Sequence, residues 1–335
     1  MTIRGQAVYT AGQRLRPFSY EPADLGPFDI EIHVRYCGIC HSDIHLIDND
    51  WNWSAYPFIP GHEIIGNVTR LGNMVTHVKV GQRVGVGWQC GSCLQCEWCI
   101  RGEENLCAHS VATCVSRNGG FAEAVCVDSR FAFAIPDILE SASTAPILCG
   151  GITVYSPLRH LGVKPWSKVG VVGIGGLGHL AIKFADAFGA EVTAFSTSPD
   201  KEEESRRLGA DHFILSKDPD QMAKAASSFD FILATPHTDL DWAAYLNALR
   251  PMGTLCLLGA PPAALLNIPP ILLLLQKKTI CGSIIGNRST IREMLEFAAR
   301  HRIGATVEVV PLAEVNAAID KVRANKARYR MVLEV

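Results

Sequence analysis

The first part of the chain alternates apolar and polar residues in short runs broken by glycine and proline. Ile30-Glu31-Ile32-His33-Val34-Arg35-Tyr36 has the period of two expected of a strand with one buried face. Ile64 to Leu71, stopped by Gly72, reads as a second strand, and Val80 to Gly87 as a turn entering a third. No long helical period occurs before residue 90, so this region is expected to be mostly β. The texture changes at Lys168. Val169-Gly170-Val171-Val172 is a short continuous apolar run, as a strand covered on both faces requires. A helical run follows to Phe188, then a strand over Glu191 to Phe195. Phe229 to Ala234 and Gly253 to Gly259 repeat the buried-strand texture, with a helix predicted over Asp241 to Leu249 between them. Much earlier, Ser129 to Leu148 holds Ile135-Pro136 and then a small-residue helix start; Thr279 to Gly286 reads as the last such strand, ending in glycine. Beyond it come a helix over Arg292 to Arg300 and β character in Ala305 to Val310 and Tyr329 to Val335. The pattern predicts a β-rich domain over 1–150 that the tail, 286–335, rejoins, and an α/β domain with a doubly wound parallel sheet over 151–285.

Composition narrows the partners. A chain of 335 residues suits two domains of ~150 each. Hydrophobic residues make up 48% and charged residues 19%, with a formal net charge of -2, so no basic excess supports a nucleic acid or membrane partner. The apolar run Ile271 to Leu275 is far shorter than the ~20 residues a membrane span needs. Met1-Thr2-Ile3-Arg4 lacks the apolar core of an export signal, so a cytoplasmic protein is expected.

Twelve cysteines change the picture more. In a reducing compartment, clustered thiols point to metal rather than disulfides. Cys93, Cys96, Cys99 and Cys107 follow the spacing C-x2-C-x2-C-x7-C, which supplies the four thiolates of a closed, structural zinc site in a lobe over about 90–108. Cys90 keeps the same rhythm and offers an alternative register; it is set aside.

A second motif follows the Val169 to Val172 run. Gly173-Ile174-Gly175-Gly176-Leu177-Gly178 lies between a predicted strand and a predicted helix, the setting a dinucleotide fingerprint requires. The glycines allow a tight turn and close approach of the backbone to a pyrophosphate. The next strand runs into Ser196-Thr197-Ser198, with Lys201 close behind, where an NAD-binding unit carries an acid. Hydroxyls and an ammonium accept a 2′-phosphate that a carboxylate would repel, so the cofactor is expected to be NADP(H).

The motifs GICHSDIH (38–45), PGHE (60–63), the cysteine cluster, CGGITVYSPL (149–158) and GIGGLG (173–178) together resemble the zinc-dependent medium-chain alcohol dehydrogenases. The likeness runs nearly end to end and is greatest to the cinnamyl-alcohol-dehydrogenase-like branch and the related NADPH-dependent aldehyde reductases. It implies a GroES-like catalytic domain beside a Rossmann domain, and two zinc ions per chain. It implies a catalytic zinc on Cys40, His62 and Cys149, with Glu63 as an alternate ligand and Asp43 orienting His62. It further implies a proton relay from Ser42 through the cofactor ribose to His45, with His41 near the cofactor pyrophosphate and Thr153 near the nicotinamide.

Aldehyde reduction to primary alcohols, on aromatic or allylic substrates, is the activity this resemblance implies. Trp51-Asn52-Trp53, Trp88 and Ile284 to Arg288 fall where this branch builds its substrate pocket, although Trp51 and Trp53 could equally pack a loop. Asn287-Arg288 depart from the small residues of the family, leaving Arg288 to meet the cofactor or to face solvent. The competing readings are an NAD-dependent polyol or secondary alcohol dehydrogenase and a zinc-stabilised dinucleotide-binding protein without catalysis. A homodimer paired along the Thr279 to Ile285 edge strand is also expected.

Overall fold

The structure, a computed structural model, describes residues 2–259 and 268–335; Met1 and 260–267 lie outside the described residues. The chain divides into two units, Met1–Ile152 with Ile285–Val335, and Thr153–Ile284.

The first unit is built on the strand Asp29–Ile39, whose alternating residues bury Ile30, Ile32 and Val34. It pairs antiparallel with Glu63–Leu71 on one side and with Arg330–Glu334 and Ala124–Asp128 on the other. Arg83–Val86 and Phe133–Ala134 extend the sheet from Glu63–Leu71, and Val307–Pro311 extends it beyond Arg330–Glu334. Gly81, at φ +84°, makes the turn predicted before Arg83–Val86. The tail therefore rejoins the first sheet as a central strand. Its helix Val315–Arg323, which the apolar pattern did not predict, buries Val315, Ala318, Ile319 and Val322 at helical spacing into the same core as Ile32 and Val68.

Two further differences have local causes. The mostly β reading of the first region misses the helix His41–Asp48, because five of its eight residues are buried and no polar face marks its period. The helix expected over Arg292 to Arg300 spans Arg288–His301, because the Asn287 side chain accepts from the Thr290 N–H at 2.8 Å and starts it earlier.

The second unit is a six-stranded parallel sheet. Its spatial order is His212–Leu215, Glu191–Ser196, Lys168–Val172, Phe229–Ala234, Leu249–Leu257 and Thr279–Gly282. The chain starts in the middle, moves outward one way and then crosses to the other, which is the doubly wound order. The short helices Glu202–Arg207 and Pro219–Lys224 carry too little apolar residue to announce themselves, and His212–Leu215, though apolar at three of its four positions, is too short to show a period. On one face Phe195, Phe229 and Tyr245 stack edge to face at 5.3 and 5.6 Å, with Leu246 and Leu255 beside them. The last strand stops at Gly282, short of the predicted Gly286. Among the described residues, no helix is long and apolar enough to cross a membrane.

Candidate metal and cofactor sites

The strand Asp29–Ile39 ends at Cys40, whose extended backbone caps the helix His41–Asp48. Asp43, three residues on, closes the cap: its Oδ2 accepts from the Cys40 N–H at 2.9 Å. Its Oδ1 accepts from the Gly61 N–H at 3.0 Å and lies 2.9 Å from Nδ1 of His62. One fully buried carboxylate thus ties the strand end, the helix start and the loop before His62 together. With Nδ1 engaged, His62 presents Nε2, which lies 3.3 Å from Sγ of Cys149 at the end of the Ala145–Leu148 turn. The ligand atoms of Cys40, His62, Glu63 and Cys149 all lie within 4.8 Å of one another, and all four residues are buried.

The electrostatics of this cluster are set by burial and by the groups that face one another within it. The hydrogen bond from Cys149, opposed by burial and reinforced by His62 and the charge of Arg330, holds the Cys40 thiol well below its usual range. The same hydrogen bond and burial push Cys149 the other way. Burial opposes a charge on His62, yet the Asp43 carboxylate and Cys149 together raise it well above the ordinary imidazole value. Burial lifts Glu63 to about 7 against the pull of Arg330. Glu63 Oε1 pairs with Arg330 Nη2, while Oε2 is buried with no hydrogen-bond partner among the described residues. Two thiols, one oriented imidazole nitrogen and an orphaned carboxylate oxygen fit a borderline-soft divalent cation such as zinc.

Two residues of this cluster escaped sequence reading. Gly38 pairs in register with Glu63, and a Cβ there would sit 2.1 Å from Glu63 Oε2. Arg330, a lone cation in the apolar tail strand, is buried against Glu63; its position among Met331, Val332 and Leu333 was the available signal.

Ser42 and His45 lie one turn apart on the helix His41–Asp48, Ser42 half-buried and His45 buried. His45 Nδ1 lies 2.6 Å from Oδ2 of Asp50, a carboxylate the sequence reading did not single out. The His45 ring is 4.9 Å from Trp51, which contacts Trp53 at 5.1 Å and Trp88 at 6.2 Å. Trp88 in turn meets the His62 ring edge to face at 4.9 Å. Trp51 and Trp88 thus bridge the two imidazoles. His41 opens the helix, half-buried.

A second donor set lies in the 90–108 lobe. Sγ of Cys93 is 3.9 Å from that of Cys99 and 3.5 Å from that of Cys107, and Cys96 is 3.8 Å from Cys107. These separations match the edge of a tetrahedron with zinc–sulfur bonds of ~2.3 Å, about 3.8 Å. Backbone N–H groups of Gln95 and Cys96 bring the Cys93 thiol down to about 6. Cys90 points elsewhere: its thiol meets Nη1 of Arg117 at 3.1 Å. Neither role weighed for Arg288 is what the structure has. Its Nε and backbone N–H both donate to Glu104 Oε1 at 2.7 Å, and its guanidinium lies over Phe131 at 5.1 Å. Glu104 belongs to the cysteine lobe and is buried, so Arg288 moors that lobe to the start of the helix Arg288–His301.

In the second unit, Gly173 leaves the strand Lys168–Val172 at φ +83°, and Gly178 starts the helix Gly178–Ala187. A Cβ on Gly178 would lie 1.7 Å from the Gly173 carbonyl oxygen, so only glycine fits. Between them Gly175 is exposed and Gly176 and Leu177 are half-buried, leaving backbone open at the strand ends. Thr235, at the end of the neighbouring strand, donates its hydroxyl to Val172 O at 2.8 Å. The loop lies at the point where strand order reverses, the crevice in which such sheets bind ligands. Ser196 closes the next strand; its Oγ accepts from the Ser198 N–H at 3.1 Å. Thr197 is exposed, and Lys201 Nζ lies 3.1 Å from Glu204 Oε2. Thr153 is buried on the helix Gly150–His160.

Residues 26–137 match the family described as alcohol dehydrogenase GroES-like domain, and residues 176–300 that described as zinc-binding dehydrogenase. An aldehyde reductase from Synechocystis is 43% identical over 99% of this chain and 98% of its own. A mannitol dehydrogenase from Petroselinum crispum is 44% identical over 96% and 98%. Among solved structures, a cinnamyl alcohol dehydrogenase from Sorghum bicolor superposes with a TM-score of 0.96 at 40% identity, covering 100% of this chain and 98% of that one. One from Helicobacter pylori, complexed with NADP(H), gives 0.91 at 32% identity over 100% and 98%.

Proposed function

Since the chain belongs to the zinc-dependent medium-chain alcohol dehydrogenases, in their cinnamyl-alcohol-dehydrogenase-like branch, and is an oxidoreductase of alcohols and aldehydes, we propose that it reduces aromatic or allylic aldehydes to primary alcohols with NADPH, reversibly. The observation that carries this reading is the buried convergence of Cys40, His62 and Cys149 around one point, with Asp43 fixing the imidazole.

In this reading Cys40, His62 and Cys149 hold the catalytic zinc, with Glu63 as an alternate ligand restrained by Arg330. Cys93, Cys96, Cys99 and Cys107 hold a second, closed zinc. When bound, the catalytic metal supplies Lewis acidity to the carbonyl or alcohol oxygen, and the nicotinamide supplies or takes up hydride. The protein's own residues handle the proton. The Ser42 hydroxyl passes it to or from the reacting oxygen, and the His45 imidazole, which can both give and accept a proton, restores it. Asp50 fixes which ring nitrogen of His45 faces that path. Trp51, Trp53 and Trp88 gather at His45 and His62 and present flat apolar surface, which favours aromatic aldehydes over polyols.

The loop Gly173 to Gly178 takes the pyrophosphate, assisted by His41, and Thr153 supports the nicotinamide. Ser196, Thr197, Ser198 and Lys201 take the 2′-phosphate, supported by the absence of an acid at the end of Glu191–Ser196. The protein acts in the cytoplasm as a homodimer, a reading supported by exposed Met252, Leu274, Leu275 and Ile284 beside the edge strand Thr279–Gly282. The test is a panel of benzylic, cinnamyl and short aliphatic aldehydes, with mannitol in the reverse direction, each run with both cofactors. A higher kcat/KM for cinnamyl or benzylic aldehydes with NADPH is expected; preference for NADH or for mannitol overturns the reading.

A further inference from the structure

His179 is a fully buried imidazole that neither the candidate metal clusters nor the proton path uses. It is the second residue of the helix Gly178–Ala187, directly after the last glycine of the loop Gly173 to Gly178. Its Nδ1 lies 3.1 Å from the carbonyl oxygen of Gly175, four positions back in that loop. The His179 backbone N–H donates to the same oxygen, also at 3.1 Å. A carbonyl oxygen can only accept, so Nδ1 carries the proton, and one residue engages both lone pairs of that oxygen.

Gly175 itself is exposed, and a Cβ there would meet nothing within 4 Å. The direction of its carbonyl decides where the next N–H points, because the peptide unit is planar and trans. With the Gly175 C=O turned into the helix toward His179, the Gly176 N–H is turned the opposite way, out of the helix start. No backbone carbonyl among the described residues accepts from the N–H of Gly175, Gly176 or Leu177. One backbone bond sets the distance to the Gly175 oxygen but lets the glycine peptide tilt about it. A second bond, from a ring with no exposed surface, removes that tilt. The other end of the loop is held from the neighbouring strand, where the Thr235 hydroxyl lies 2.8 Å from Val172 O and 3.1 Å from Gly173 O.

We propose that His179 is a positioning residue for the dinucleotide. Its Nδ1–H locks the Gly175–Gly176 peptide so that the Gly176 N–H is aimed at the pyrophosphate before the cofactor arrives. The proposal rests on the reading that the loop Gly173 to Gly178 takes the pyrophosphate. Donors ordered in advance bind more tightly, because their ordering is met in folding and not in binding. With no exposed surface, the ring acts on the cofactor only through this peptide, so its effect falls on cofactor affinity and not on kcat.

The test titrates zinc-loaded protein with NADPH and with adenosine 2′-phosphate, which shares the adenosine and the 2′-phosphate but has no pyrophosphate. His179→Leu and His179→Gln remove the donor at the Nδ1 position, whereas His179→Asn places an amide N–H there. The Kd for NADPH should rise roughly three- to tenfold in the Leu and Gln variants, the size of one hydrogen bond, and return to near its original value in the Asn variant. The Kd for adenosine 2′-phosphate, and kcat at saturating cofactor, should stay unchanged in all three. Equal weakening of both ligands overturns the proposal. So does an unchanged Kd for NADPH in the Leu and Gln variants, or an Asn variant as weak as they are. If the unaltered protein prefers NADH, the 2′-phosphate reading alone fails, and NADH against adenosine becomes the pair to which the same outcomes apply. If it binds neither dinucleotide, the pyrophosphate reading falls and this proposal with it. Imidazole nitrogen NMR of the unaltered protein gives a check that needs no variant to fold: His179 should show a protonated Nδ1, and an unprotonated Nδ1 overturns the proposal.

Discussion

Asp43 serves the Cys40 N–H, the Gly61 N–H and His62 with two oxygens, so Asp43→Asn replaces one acceptor by a donor amide in a buried site. Groups behind a metal ligand typically contribute 10–100-fold to affinity, and a loss of about that size is expected for zinc in competition with a chelator. Unchanged zinc retention would remove Asp43 from the site. Gly38 is constrained from the opposite side. In Gly38→Ala the new methyl collides with Glu63 Oε2, and because that carboxylate is pinned by Arg330 the strain is expected to cost about 1–3 kcal/mol in denaturant unfolding. Glu63→Ala removes the atom that collides but strands the buried Arg330 charge, so the test is a cycle: Gly38→Ala should cost less in the Glu63→Ala background than in the unaltered chain. Glycine at this position thus follows from a contact across two strands, which its own neighbours in sequence do not specify.

Among the elements, the cysteine lobe depends on a connection to a helix far along the chain. Arg288→Ala leaves the buried Glu104 carboxylate without its counter-ion, held among the described residues only by the backbone N–H of residue 288. Removing one partner of a fully buried pair costs ~3–5 kcal/mol; with the Arg288 side chain 25% exposed, about 2–3 kcal/mol is expected from urea midpoints. The double variant Arg288→Met with Glu104→Gln should lose less than the sum of the single changes. A shorter element gives a pH test. Glu140 caps the helix Ser141–Thr144, accepting from the Ala142 and Ser143 N–H groups at 2.9 and 2.7 Å. Burial pulls its pKa up, but these N–H groups outweigh it and the net shift is downward. A carboxylate depressed on folding adds stability that is fully present above its unfolded value, ~4.3, and lost as pH falls through the lower folded value. Glu140→Gln should therefore lower stability by about 1 kcal/mol at neutral pH, and the gap to the unaltered protein should close below pH 4.

For the whole molecule, Leu274 and Leu275 are exposed a few residues ahead of Thr279–Gly282, which is an edge strand of the parallel sheet among the described residues. An unpaired apolar edge is an aggregation hazard unless a partner covers it. Leu274→Glu with Leu275→Glu should shift the sedimenting species from dimer to monomer; a monomer already present in the unaltered protein would contradict the homodimer reading.

What the chain specifies locally was legible without coordinates. Buried strands announce themselves as apolar runs, the tight turn at Gly173 demands glycine, and four cysteines at loop spacing need only a short segment to converge. Alternating strands and helices give the α/β class of the second unit, although the edge strand His212–Leu215 and the two short helices on either side of it went unread. The first unit was less legible, because its meaning lies in pairings between distant residues. The helix His41–Asp48 has no exposed polar face to give it a period, and its start is fixed by Asp43, whose other oxygen is held by Gly61 and His62. Arg330 and Glu63 are 267 positions apart and meet only because the tail strand enters the sheet beside Asp29–Ile39. Arg288 and Glu104 are 184 apart, and nothing near either residue names the other. Residue type and spacing determined which chemistry was available. Which buried charge answers which, and which glycine leaves room for it, was decided by strand register, because a register brings together side chains whose neighbours in sequence carry no trace of the pairing.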